Sequence, residues 1–151
     1  KFVFSDRSIM DTIKESTDLL SIQAKMKGIG LFIETKLLSS NTRVRTDHNR
    51  FRQILLNLLS NALKFTFKGK ITVIVQEKII ETSERKAQRS FEVSVTDTGI
   101  GIKQEDQNKL FKAFEKIDLG DDVGINSTGV GLGLVISNNL ARSLGPATRE
   151  K

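Results

Sequence analysis

Over residues 47–66 the apolar residues Phe51, Ile54, Leu55, Leu58, Leu59, Ala62 and Phe65 recur at three- and four-residue steps. That is the spacing of one buried helix face, and Asp47 stands where its N-cap should be. Upstream, Ile9, Ile13, Leu20 and Ala24 predict a helix over residues 6–27, capped by Ser5 or Asp6 and ended by Gly28. Residues 29–37 are rich in β-formers and predict a strand. Residues 39–46 form a polar connection. Downstream, residues 70–80 alternate, with Ile71, Val73 and Val75 on one face, and residues 91–97 alternate strictly. The charged stretch 81–90 between them reads as a surface loop. With nothing helical separating the two strands, an antiparallel pair is expected. Residues 104–117 predict a short helix with Leu110, Phe111, Phe114 and Ile117 inward. Residues 118–131 carry few large apolar groups, so they cannot pack rigidly and read as a functional or disordered loop. A final helix follows Gly129, Gly131 and Gly133.

Length and composition narrow the classes. A chain of 151 residues can form one domain with a real core. The absence of Cys removes disulfides, thiol nucleophiles and Cys-based metal sites. No apolar run approaches the ~20 residues of a membrane span, and no signal peptide is visible. The opening KFVFSDRS reads as the middle of a longer chain. A net charge of +6 favours anionic partners. It does not single out nucleic acid: Trp and Tyr are absent, the basic residues are scattered, and no recognition helix is evident.

The polar side of the 47–66 helix carries the first candidate chemistry. Arg50, Gln53, Asn57, Asn61 and Lys64 fall in one stripe. Asn is a poor helix former, so two of them one turn apart suggest a task. An Asn oxygen is a neutral hard ligand, suited to Mg²⁺ that already carries phosphate oxygens and waters. Lys64 could meet a phosphate. An ordinary wet face is the other reading. In the last strand Asp97 shares the phase of Phe91, Val93 and Val95, which points an acid towards the buried side. It reads either as a turn Asp bonding its own backbone or as an acceptor at a pocket floor, for an exocyclic amine. Glycines 129, 131 and 133 ahead of a helix leave backbone amides free for phosphate oxygens. They follow a loop rather than a strand, so they do not fit the dinucleotide fingerprint, and no GxxxxGK[ST] P-loop is present. His48, the single histidine, reads as a surface residue.

Four elements therefore stand in one order: Asn-x-x-x-Asn on a helix, a strand ending in Asp-x-Gly-x-Gly, Phe-x-x-Phe, and a loop ending in Gly-x-Gly-x-Gly. In this order they resemble the ATP-binding catalytic domain of sensor histidine kinases, within the gyrase, chaperone, histidine kinase and mismatch-repair ATPase superfamily. The N box would be RQILLNLLSNALKFT, the first glycine box DTGIGI, the F box KLFKAFEKID and the second glycine box GVGLGL. The resemblance implies a Bergerat-type α/β sandwich, a mixed and largely antiparallel sheet with helices on one face. It implies a single domain over residues 1–151, shortened at its C-terminus by the family's closing strands. ATP and Mg²⁺ are the implied cofactors. Asn61 would be the metal ligand, with Asn57 as the catalytic residue beside metal and phosphates, and Lys64 on phosphate. Asp97 would accept the adenine amine, with Gly99, Gly101 and Ile102 beside it. Phe111 and Phe114 would anchor a lid, and Ser127, Thr128, Gly129, Val130, Gly131, Leu132 and Gly133 would wrap the phosphates.

Hydrolysing branches of the superfamily carry Glu where this chain has Asn57. Asn cannot act as a general base, so the resemblance implies transfer of the γ-phosphate to a histidine on a separate upstream hairpin. A response regulator or receiver domain would act downstream. The chain by itself would be monomeric and would not phosphorylate itself. Its setting would be cytoplasmic, including the intracellular part of a membrane-bound sensor. A degenerate nucleotide-binding module and an ATP hydrolase of the same superfamily are the alternatives.

Overall fold

The computed structural model describes residues 1–37, 39, 41–81, 87–113 and 131–145. A short strand, β1 (Ser5–Ser8), leads directly into helix α1 (Ile9–Met26). The helix thus begins three residues later than its apolar period suggests. Residues 5–8 are held instead in an antiparallel ribbon with β3 (Arg43–Thr46), inside the segment expected to be a plain connection. An Asp6–Arg43 ion pair spans this ribbon at 3.2 Å. The Ser8 hydroxyl then caps α1 by accepting from the Asp11 amide at 3.3 Å. At the far end Gly28 takes a φ of 68°, a left-handed stop that a side chain would resist.

Strand β2 (Gly30–Lys36) follows, and after β3 comes the central helix α2 (His48–Phe65). Its cap is the expected one. Asp47 Oδ1 accepts from the Asn49 and Arg50 amides at 3.1 and 3.0 Å, while Oδ2 accepts from the Val3 amide at 2.8 Å. These bonds, the Val3 amide first and the Arg50 amide next, hold the buried Asp47 carboxyl below the usual carboxylate range.

Strands β4 (Lys70–Glu81) and β5 (Ala87–Asp97) complete a mixed sheet of order β2-β4-β5. β2 runs parallel to β4, and β4 antiparallel to β5 with Ile71 opposite Asp97. β5 begins at Ala87, inside the stretch expected to be loop, because the ladder continues past the sheet as a two-stranded arm. Glu77 and Arg89 form an ion pair on that arm. Helices α1 and α2 pack on one face of the sheet. Ile71, Val73 and Val75, 0–1% exposed, meet Ile13, Leu55 and Leu59 in the core between the layers. Each such side chain contributes about 1.5–3 kcal/mol by leaving water. A one-residue register slip would expose the whole β4 set, so this face fixes the register.

Downstream, α3 (Gln104–Gln107) is a single turn rather than the helix expected over residues 104–117. Its continuation to Ala113 is made of i→i−3 bonds, such as Lys109 N to Asp106 O at 3.0 Å. Phe111 is 56% exposed, so its ring contributes little of the packing that would hold this stretch as an α-helix. Phe114 and Ile117 lie outside the described residues. The last helix is α4 (Gly133–Leu144), which packs on α2.

Candidate functional site

α2 is the spine of the site, and its polar stripe is used in parts. Asn57 is half-buried, and its side-chain amide donates to Ser137 Oγ of α4 at 2.9 Å. Its Oδ1 lies against Gly133, where any Cβ would overlap it. A side chain at 133 would have to displace the Asn57 amide for α4 to approach this closely. Asn61, one turn on, is half-buried with no hydrogen-bond partner among the described residues. Lys64 is half-buried with its ammonium 5.2 Å from the Phe65 ring centroid, and it borders the groove between α1 and α2 with Gln23 and Lys27. The structure thus brings Asn57 together with the α4 start, while no hydrogen bond joins Asn61 or Lys64 to it among the described residues.

The end of α2 meets the glycine segment after β5. Phe65 O accepts from the Ile100 amide at 3.1 Å, and a Cβ on Gly99 would overlap that same carbonyl. Gly101 takes a φ of 69° with open space where a Cβ would stand, so its backbone conformation rather than crowding calls for glycine. Ile102 is 46% exposed. Asp97 differs from the phase argument: it is exposed, not turned into the core. Its register partner Ile71 lies one residue from the start of β4, where the ladder is ending. Asp97 Oδ1 accepts from the Gly99 amide at 2.8 Å, which is the Asx-turn reading. The second carboxylate oxygen keeps its acceptor capacity.

At α4, Gly131 takes a φ of 75°, and Leu132 caps the helix with no side-chain hydrogen bond. The first-turn amides are therefore left uncapped by any side chain among the described residues. Phe114, Ser127, Thr128, Gly129 and Val130 lie outside the described residues.

His48 corrects another expectation. It is 3% exposed, not a surface residue. Its Nδ1 pairs with Thr12 Oγ1 at 2.8 Å and its Nε2 with Val44 O at 3.0 Å, joining α1, α2 and β3. A neutral ring that donates from Nε2 and accepts at Nδ1 satisfies both partners. Ser137 and Thr98 were missed by the sequence reading. Ser137 had a signal, as the first polar residue after the apolar run LVI and four positions beyond Gly133.

The family profile described as histidine kinase-, DNA gyrase B-, and HSP90-like ATPase matches residues 46–150. The chain is 36% identical over 137 residues to the signal transduction histidine-protein kinase BarA of Escherichia coli (strain K12), covering 91% of this chain and 14% of the relative. It therefore spans about one-seventh of that relative's length. The solved catalytic domain of histidine kinase ThkA, nucleotide-free, superposes with a TM-score of 0.75 at 25% identity, over 95% of this chain and 82% of that one. Full-length ShkA in complex with AMPPNP gives 0.70 at 27% identity, over 95% and 27%. ThkA in complex with the response regulator protein TrrA gives 0.61 at 27% identity, over 75% and 31%.

Proposed function

Since the chain belongs to the histidine kinase-, DNA gyrase B- and HSP90-like ATPase family, we propose that residues 1–151 form one domain that binds Mg-ATP. In this reading it is the catalytic part of a two-component sensor histidine kinase and hands the γ-phosphate to a histidine on a separate helical hairpin. The observation that carries the reading is Asn57. Its amide, bonded to Ser137 and lying against Gly133, occupies the junction of α2 and α4. Hydrolysis would need a base there to activate water, and an amide has no titratable group to supply one. Phosphoryl transfer to a protein acceptor needs mainly positioning and charge neutralisation.

The donor set fits the metal. Asn61 offers a half-buried neutral oxygen that has no partner among the described residues. The described residues contain no group of three or more His, Cys, Asp or Glu that could hold a metal. Mg²⁺ suits such a setting, since it is usually bound by few protein groups and shared with phosphate oxygens and water. When bound, it would neutralise charge on the phosphates. Asn61 would ligate it, Asn57 would sit beside it, and Lys64 would reach phosphate from the groove side. The amides of Gly131, Leu132 and Gly133, at and just before the uncapped start of α4, would hold phosphate oxygens. The free oxygen of Asp97 would accept the adenine amine, with Gly99, Gly101 and Ile102 allowing the base to approach. Phe114 and residues 127–130, which lie outside the described residues, would complete the site as the resemblance implies.

The AMPPNP bound to ShkA supports a nucleotide site, and the TrrA complex of ThkA supports a response regulator or receiver domain as partner. An intracellular setting follows from the use of ATP. No helix among the described residues is long and apolar enough to cross a membrane.

The test is transfer. The chain, Mg²⁺ and ATP labelled at the γ-phosphate are mixed with a separately supplied histidine-bearing hairpin of a related kinase. Label should appear on the hairpin and vanish when its His is replaced by Gln. Without the hairpin, phosphate release should stay at the blank level. Rapid release without it would identify a hydrolase, and nucleotide binding with no transfer would identify a degenerate module.

A further inference from the structure

The Asp97 loop is fastened to the turn after α2 by the side chain at the variable position between Asp97 and Gly99 of the first glycine box. Thr98 Oγ1 accepts from the Lys70 amide at 3.0 Å and lies 3.4 Å from both Lys68 O and Lys70 O, to either of which its hydroxyl can donate. The Thr98 amide itself donates to Lys70 O at 3.1 Å. The hydroxyl fills the space where a Cβ on Gly69 would stand, and Gly69 holds a φ of 113° that L side chains rarely adopt. One hydroxyl thus clasps the turn over residues 66–70, which joins α2 to β4. Its two neighbours in sequence are both candidate site residues. Asp97 precedes it, and Gly99 follows, lying against Phe65 O at the last residue of α2.

We propose that Thr98 is a positioning residue that sets Asp97 and Gly99 in register with the Asn57–Asn61 stripe, and so determines how strictly the site selects its base. This rests on the nucleotide-binding reading above. A Val in place of Thr98 keeps the branched shape. It cannot accept from Lys70, and its methyl is larger than the oxygen that Gly69 makes room for. A Ser keeps the acceptor.

The experiment compares ATP and GTP affinities of the wild type, Thr98→Val, Thr98→Ser and, as the reference for full loss of selectivity, Asp97→Ala. Amide hydrogen exchange at Lys70 and Ile100 is followed without nucleotide. Thr98→Val should lower the ATP-over-GTP preference about fivefold, the scale of one lost hydrogen bond, and speed exchange at both amides. Thr98→Ser should restore most of both. Faster exchange with an unchanged preference would show a purely structural clasp and overturn the proposal. Unchanged exchange would overturn the clasp itself. If the folded wild type binds neither nucleotide, the functional reading fails, and the positioning role falls with it, while the exchange data still measure the clasp.

Discussion

At the scale of single residues, the same side-chain chemistry has opposite meanings depending on what surrounds it. Asp47 was legible because an N-cap is a local arrangement, set by one residue and the amides two and three positions on. His48, its neighbour, was not. Its partners Thr12 and Val44 come from other elements, and nothing in its local sequence announces them. Replacing it should be costly. His48→Leu removes both hydrogen bonds and leaves the Thr12 hydroxyl buried without a partner, a loss of about 2–4 kcal/mol. Urea denaturation measures this directly, and a change under about 0.5 kcal/mol would mean the ring's contacts carry little weight. Asp97 teaches the converse. Alternation correctly placed it in phase with Phe91, Val93 and Val95, yet phase is a statement about direction only. Burial ends where the covering layer ends, and Asp97 lies at the edge of the ladder.

At the scale of elements, periodicity located what hydrophobic packing dictates. α2 and the inward face of β4 follow their patterns closely because both are built around one buried face. The ribbon of β1 and β3 was invisible for the same reason. SDRS and RVRT bury little, and what joins them is a backbone ladder with an ion pair across it, which no local propensity encodes. The α2–α4 contact was half visible. The glycines were read as freedom for backbone amides, whereas at Gly133 the structural demand is room for Asn57. Two effects compete if Ala is placed there. Helix propensity favours Ala over Gly by about 1 kcal/mol. Overpacking against an oxygen whose amide is tied to Ser137 costs about 1–3 kcal/mol. The steric effect should win: Gly133→Ala should lower stability and displace α4, with the α1–α2–sheet core intact. A thermal melt and the near-complete retention of core amide protection would show it. A rise in the melting temperature would mean that Asn57 yields easily and is not a fixed part of the junction.

At the scale of the whole molecule, the layers place two segments distant in sequence against one helix. The middle of α2 touches the start of α4, and its end touches the loop after β5. The four-motif order made the fold readable through the family it resembles, and among the described residues the structure brings the asparagine helix to the start of α4 and to the glycine segment after β5. The sequence alone could not supply the clasps between them, Ser137 on Asn57 and Thr98 on Lys70, since these are decided by packing distances. We propose that this convergence holds Mg-ATP, with Asn61 on the metal. The deciding measurement is calorimetric titration of the folded chain with ATP, in Mg²⁺ and in chelator, alongside Asn61→Ala. Saturable binding that Mg²⁺ tightens is expected in the wild type, with that gain lost in Asn61→Ala and the chelator affinity nearly unchanged. An absence of binding by the folded wild type, or an equal loss in Asn61→Ala with and without Mg²⁺, would contradict it.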